Sequence, residues 1–487
     1  MLLHPQTKQA NQLLHEGILA FADFEMNGLR IDLKHCKKWD KKITKKIKKL
    51  TTKIYKSKEI KVWKKVYKSD FNMDSNKQLG TVLFEHLGYK PEIYTTEEKT
   101  TPSVSEAALQ AANIPIANQL LELRKIQKLQ NTYLGNIIKE TIDGYIHPIF
   151  NLHTVSTFRS SSNSINFQNQ PKRDPKAKKM IRSAFIPREG HCLGGLDYSG
   201  VEVRISCCVH KDPNLIADVI DPKKDMHRDM AIECFMLDEN EWTKQARNTA
   251  KNKFVFPEFY GNWFKACARD LWNDIELYGL VTKNGTPLYE HLKKQGIKNL
   301  SQYTDYIEDV EDRFWNVRYP VFNEWKEKVW HDYQKTGYVD LITGFRCREK
   351  MKKNEVLNRP IQGPAFHCLV WSAIEANRIA KKEKWKTKLV GQIHDELTVD
   401  FNGKEMSYVL DTASRIMTKD IREAFPWIII PLEVEAEVTP LNSPWPTAKG
   451  VTRSGKCKCG NRWWHVELLE NSFTKWICPV CGNSECK

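Results

Sequence analysis

Leu193-Gly194-Gly195-Leu196-Asp197-Tyr198-Ser199-Gly200-Val201-Glu202-Val203-Arg204 opens as an apolar run and closes in charge. Far along the chain a second stretch does the same: Leu389 to Ile393, then His394-Asp395-Glu396, then Leu397 to Phe401. The first predicts a buried strand whose end presents Asp197, and the second two short strands joined by a hairpin with acid at its turn. If folding brings Asp197 and Asp395 together, their like charges repel, and bound divalent cations are the usual means by which such a cluster persists near neutral pH. Two carboxylates holding two metal ions is a constellation used in phosphoryl transfer.

Between these segments runs Arg247-Asn248-Thr249-Ala250-Lys251-Asn252-Lys253-Phe254-Val255-Phe256-Pro257-Glu258-Phe259-Tyr260-Gly261. Arg247 and Lys251, four apart, project from one face of a helix as a cationic clamp, with aromatic residues about a turn later. Such a face suits a triphosphate and a stacked base. Upstream, Thr157-Phe158-Arg159-Ser160-Ser161-Ser162 and Asn166-Phe167-Gln168-Asn169-Gln170-Pro171 form a polar, turn-rich stretch whose side-chain donors suit phosphate, sugar or base edges.

These motifs resemble those of family A DNA polymerases, the class of bacterial DNA polymerase I and its phage relatives. Asp197, Tyr198, Ser199, Glu202 and Arg204 match the family's first polymerase motif, with a phage-like Gly200. Arg247, Lys251, Phe256, Tyr260 and Gly261 match its second, and His394-Asp395-Glu396 its third. Asn358 and Gln362-Gly363 match the segment before the third, and Phe71-Asn72-Met73 through Lys77-Gln78-Leu79, Arg159 and Gln168-Asn169 also fit. The similarity covers residues 10–440 in the family's order.

The resemblance implies an α+β, right-hand polymerase: N-terminal helices and thumb at 1–145, palm at 146–212 and 341–445, and fingers at 213–340; the cysteine-bearing tail at 446–487, a module not typical of the family, is read separately as a small zinc ribbon. It further implies a DNA-directed DNA polymerase that adds deoxynucleotides to a primer 3′-hydroxyl and releases pyrophosphate. Asp197 and Asp395 would hold two magnesium ions, with Lys251 and Glu396 as further catalytic residues. Arg247, Lys251 and His227 would grip the triphosphate, Phe256 and Tyr260 would stack near the base, and Glu202 would crowd the sugar 2′ position. Arg159, Asn169, Asn358, Gln362 and His394 would touch DNA.

One residue more than usual separates Lys251 from Phe256, and Pro257 stands where the family has glycine, which predicts a kink in the finger helix. The stacking aromatic is accordingly either Phe254 or Phe256. Asn354 falls where an arginine is usual. No proofreading domain is expected before the polymerase region, so a separate exonuclease is an expected partner, as are a primase or a helicase. The other readings are a single-subunit RNA polymerase, which Glu202 opposes, and a nonenzymatic nucleic-acid binder, which the intact set Asp197, Arg247, Lys251 and Asp395 opposes.

In the tail, Cys457-Lys458-Cys459 and Cys478-Pro479-Val480-Cys481 are paired cysteines, each pair followed by glycine, Gly460 and Gly482, at tight turns. Four thiolates so spaced suit one structural zinc ion, with Cys486 or His465 as substitute ligands. Trp463, Trp464, Phe473 and Trp476 are read as a small core or as stacking surfaces for unpaired bases.

The 487 residues are too many for one core, and 76 Lys+Arg against 60 Asp+Glu leave a net charge of +16, which favours a polyanionic partner. Sixteen lysines fall between Lys34 and Lys68, where Ile43, Ile47, Leu50 and Ile54 mark one buried helical stripe. Asp74 or Ser75 caps a helix from Lys77 to Leu87 that Gly88 ends, and Leu120 to Tyr133 carries a further helical pattern. Asp23-Phe24-Glu25 mimics a metal-binding pair, but on a helix residues two apart face away from each other. No run approaches the roughly 18 apolar residues of a membrane span, and Met1-Leu2-Leu3-His4-Pro5 predicts no signal peptide. The expectation is a monomer with reduced thiols in the cytoplasm, that of the host if phage-encoded.

Overall fold

The computed structural model describes residues 3–95, 101–112, 114–172, 174–468 and 474–486. Its centre is one antiparallel sheet of eight strands: β1 (His191–Tyr198), β2 (Lys388–Ile393), β3 (Glu396–Asn402), β4 (Val434–Val438), β5 (Lys449–Arg453), β6 (Trp463–Leu468), β7 (Thr474–Ile477) and β8 (Ser484–Cys486). They lie in the order β8-β7-β6-β5-β4-β1-β3-β2. The predicted acidic strand is therefore central, flanked by β3 and β4, and the predicted hairpin is β2–β3.

Glycine at two positions of β1 lets its neighbours close in. A Cβ on Gly194 would stand 2.2 Å from the Glu437 carbonyl oxygen, and one on Gly195 would stand 2.3 Å from the Glu396 carboxylate. The buried face of the sheet packs on helices, among them Lys353–Lys382, which is tied to β1 by the Tyr198 hydroxyl and Ser372 Oγ at 3.0 Å. The exposed edge that β2 would offer is covered by helix Lys8–Asn27, where Asn27 Nδ2 donates to the Leu389 carbonyl at 2.9 Å. On that helix Asp23 accepts from Asn377 while Glu25 accepts from the Phe150 amide, so the two carboxylates serve different neighbours and share no site.

The lysine-rich segment is helix Leu33–Tyr55, with Ile43 and Ile54 buried on one stripe. Ile54 joins Trp63, Leu83, Leu109 and Leu120 in an apolar cluster separate from the main core. Ser75, not Asp74, caps the helix that begins at Asn76, its Oγ accepting from the Gln78 amide at 3.2 Å. No helix among the described residues is long and apolar enough to cross a membrane.

The C-terminal segment continues the central sheet. Val451 of β5 pairs with Ala436 of β4 and with His465 of β6, so the ribbon strands are added edge to edge.

Candidate active site

Register brings the acids together. Asp197 is directly opposite Glu396 on β3 and Glu435 on β4. His394 and Asp395 form the β2–β3 turn, His394 with φ 55, and the Tyr198 amide donates to the Asp395 carbonyl at 3.3 Å. The turn is braced from within. Ser160 Oγ donates to Gln392 Oε1 at 2.5 Å, Gln168 Nε2 reaches the same oxygen at 2.7 Å, and Gln392 Nε2 donates to the His394 carbonyl.

The Asp197 side chain opens to a cleft, and its carboxyl lies within hydrogen-bonding reach of Asp395. The protein around it strips water, and repulsion from Asp395 and Glu396 adds to that, pushing its carboxyl up to about 8 against the pull of Lys172. Burial also raises the Glu396 carboxyl, opposed by Arg182 and Lys172. At an effective dielectric of about 20, two full charges about 4 Å apart repel by roughly 4 kcal/mol. Hard oxygen donors under that strain are suited to divalent cations such as magnesium.

Two clefts meet at the turn. One, of about 480 Å³, is walled by Asn169, Lys172, Arg182, Asp197, Glu396 and Trp445. The other, of about 450 Å³, is walled by Arg159, Glu202, Lys251, Phe256, Tyr260 and Asn358. His394 and Asp395 line both. In the second cleft Glu202 pairs with Arg159 and accepts from the Tyr260 hydroxyl, while Asn358 Nδ2 donates to the Tyr260 carbonyl at 3.4 Å. Gln362, half-buried beside Ile361, is not among the side chains that wall either cleft.

The extra residue after Lys251 is absorbed by a π turn. Helix Lys244–Ala250 passes into Lys251–Val255, where the Phe256 amide reaches back five residues to the Lys251 carbonyl, and Phe256–Phe259 follows. Pro257 thus falls in the first turn of the next helix, where its missing N–H is least needed. The turn also separates the two aromatics: Phe254 is buried against Phe314, whereas Phe256 faces the cleft with Lys251 Nζ 5.1 Å from its ring. His227 meets the same ring edge-on at 5.6 Å, and burial with Lys251 and Arg247 nearby lowers its imidazole to about 4.

Arg247 does not stand free beside Lys251: its Nε donates to Asp225 Oδ2 at 2.6 Å. Asp225 also caps helix Met226–Cys234 through the His227 and Arg228 amides, each at 3.1 Å, so one carboxylate sets both His227 and Arg247. The sequence reading assigned it nothing, although an Asp just before a helix is an N-cap signal. Lys172, beside the acids, had no signal beyond its charge. Arg204 bonds the Ser199 and Pro431 carbonyls at 3.2 and 2.8 Å and supports the turn after β1.

At the sheet's far edge, ligand atoms of Cys457, Cys459, Cys478 and Cys481 all lie within 4.8 Å of one another. Cys457 to Cys481 is 3.6 Å and Cys459 to Cys478 is 3.5 Å, close to the roughly 3.8 Å between sulfurs about 2.3 Å from a tetrahedral zinc ion. Gly460 and Gly482, at φ 93 and 73, close the two turns. His465 is no substitute ligand, because its Nε2 is buried on the Val438 carbonyl at 2.7 Å. Trp464 is buried and Trp463 donates to Asp411, while Phe473 and the Cys486 side chain lie outside the described residues.

The family model for DNA polymerase family A matches residues 33–442. The chain belongs to DNA polymerase family A. It is 26% identical over 439 residues to DNA polymerase I of Chloroflexus aurantiacus, covering 87% of this chain and 42% of that protein. With the thermostable DNA polymerase I of Thermus aquaticus it shares 27% over 443 residues, 88% of this chain and 47% of the other. The family A chain thus spans less than half the length of these relatives. The polymerase domain of Pol1 from M. smegmatis, solved in complex with DNA primer-template and dNTP, has the same fold: the TM-score is 0.67 at 24% identity, over 89% of this chain and 70% of that one.

Proposed function

We propose that the chain is a template-directed DNA polymerase that extends a primer 3′-hydroxyl with deoxynucleotides. The observation that carries the reading is the pairing of Asp197 with Asp395 where the two clefts meet. On this reading the thumb is 1–145, the palm 146–212 and 341–445, the fingers 213–340 and the ribbon 446–487. Primer-template DNA and deoxynucleoside triphosphates are the partners, in keeping with the net charge of +16.

Asp197 and Asp395 would hold two magnesium ions, whose positive charge would favour deprotonation of the primer 3′-hydroxyl and offset charge on the departing pyrophosphate. Lys251, Arg247 and neutral His227 hold the triphosphate, and Lys251 Nζ is the proton donor for the leaving group. Phe256 and Tyr260 offer stacking faces to the incoming base. Glu202, fixed by Arg159 and Tyr260, fills the space a ribose 2′-hydroxyl would need. Arg159, Asn169, Asn358, Gln362 and His394 contact DNA, and Glu396 steadies the acid pair from β3. Cys457, Cys459, Cys478 and Cys481 hold one zinc ion that folds the ribbon, a module assigned to binding DNA or a partner.

Extension of a primed template with magnesium, using deoxynucleotides and ribonucleotides in parallel before and after chelation, tests the assignment. Metal-dependent extension with deoxynucleotides is expected; preference for ribonucleotides, or no extension with either set, overturns it.

A further inference from the structure

Glu258 lies in the finger helix between Phe256 and Tyr260, two residues from each. Those two aromatics, four apart, share the cleft face, so Glu258 points the other way, into protein. It is 1% exposed. Its Oε2 accepts from Trp315 Nε1 at 2.9 Å and its Oε1 from Cys267 Sγ at 3.2 Å. Its carboxyl also hydrogen-bonds that of Glu311, whose Oε1 accepts from the Phe264 amide at 2.8 Å. Lys326 places Nζ 3.1 Å from the centre of the Trp315 ring, with both carboxyls acting on it.

An apolar residue would fill this volume with no electrostatic cost, and a lone buried carboxylate would cost several kcal/mol. Two carboxyls in contact cannot both stay ionised in such a place. One proton between them leaves a single negative charge, which Lys326, seated over the Trp315 ring, balances through space, so the set closes at zero net charge. Its members come from the Phe256–Phe259 helix, the Leu300–Asp312 helix and the Pro320–Thr336 helix, and Cys267 adds Phe264–Tyr278.

We propose that Glu258 and Glu311 share one proton, that Lys326 neutralises the remaining charge, and that this closed set is a latch positioning the Phe256–Phe259 helix, and with it Phe256 and Tyr260, at the nucleotide cleft. Glu258 is a positioning residue, since it touches no substrate. The proposal rests on the polymerase reading for its kinetic test, though not for its spectroscopic one.

Burial first, and Glu311 second, push the Glu258 carboxyl up to about 8, while burial brings the Lys326 amine down to about 8. Around them Glu308 acts on Glu311, Glu327 and Lys353 act on Lys326, and the buried thiols of Cys234 and Cys267 are pushed far above the ordinary range. Raising the pH through about 8 removes the shared proton and discharges Lys326 as well, which leaves two like charges in contact with no counter-charge and loosens the helix.

The test is single-nucleotide incorporation on a primed template by the full chain and by Glu258→Gln and Glu311→Gln, from about pH 6.5 to about pH 9.5. The Gln variants keep a donor between the two sites at every pH. The ratio of wild-type to variant KM for the correct nucleotide is expected to rise about tenfold between about pH 7 and about pH 9.5, with the kcat ratio flat within about twofold. A KM ratio that stays flat with pH for both variants overturns the latch. Infrared difference spectra of the wild type minus each variant across the same range, with magnesium present to keep Asp197 ionised, provide a readout independent of turnover: a protonated-carboxyl component that the wild type loses as the pH rises and that either variant lacks throughout supports it, and wild-type and variant spectra that match in this region contradict it. A wild type that incorporates no nucleotide defeats the polymerase reading while the band still decides the latch.

Discussion

The carboxylates of Asp197 and Asp395 stand at the middle of the sheet, where β1 meets the β2–β3 turn, whereas the thiols of Cys457, Cys459, Cys478 and Cys481 stand at its far edge, in loops beside β6 and β7. The acids are placed by covalently distant parts that hold each other without any ion: ladder bonds to both sides of β1, the Tyr198 amide on the Asp395 carbonyl, and the Ser160, Gln168 and Gln392 network under the turn. The thiols are placed by two short turns over a core in which, among the described residues, Trp464 is the one large, fully buried side chain. Metal removal should therefore silence the first site while leaving its fold, and loosen the fold at the second.

The difference can be broken from either side. Asp197→Ala or Asp395→Ala is expected to lower primer extension at least about a thousandfold while primer-template binding stays within about twofold, because those side chains hold cations rather than backbone phosphate. Gel-based extension and binding anisotropy check it, and appreciable extension by either variant would contradict it. Glu202→Ala is expected to relax exclusion of ribonucleotides by about thirtyfold, read as the ratio of kcat/KM for matched deoxy and ribo substrates. Undiminished discrimination would assign the gate to another residue. Cys478→Ser is expected to lose the chain's one zinc ion by metal analysis and to speed proteolytic cleavage within 455–486 by about tenfold, with magnesium-dependent extension nearly unchanged. Extension falling in step with zinc would mean that the continuous sheet carries the ribbon's loosening into β1.

What the sequence displayed was whatever is local. The apolar run into Asp197, the apolar runs around His394-Asp395-Glu396 and the paired cysteines are each patterns of a few residues, and each was legible because a strand end, a hairpin or a knuckle turn is itself local. The joining of the cysteine-bearing tail to the central sheet was not, since the pairing of β4 with β5 depends on backbone edges with no side-chain signature. Pro257 and the extra residue after Lys251 were both visible but their joint consequence was not: the proline alone predicts a kink, whereas the π turn takes up the extra residue and leaves Pro257 in the first turn of the next helix. Nothing in the sequence set Glu258 apart, because its partners Glu311 and Lys326 lie more than fifty positions away.

Counting manganese bound to the ternary complex with primer-template and a non-extendable nucleotide, by electron paramagnetic resonance with manganese in place of magnesium, tests the central claim most directly. The wild type should hold two tightly bound ions per chain and Asp197→Ala or Asp395→Ala fewer than two. Two ions retained by both variants would show that these carboxylates do not form the cation site.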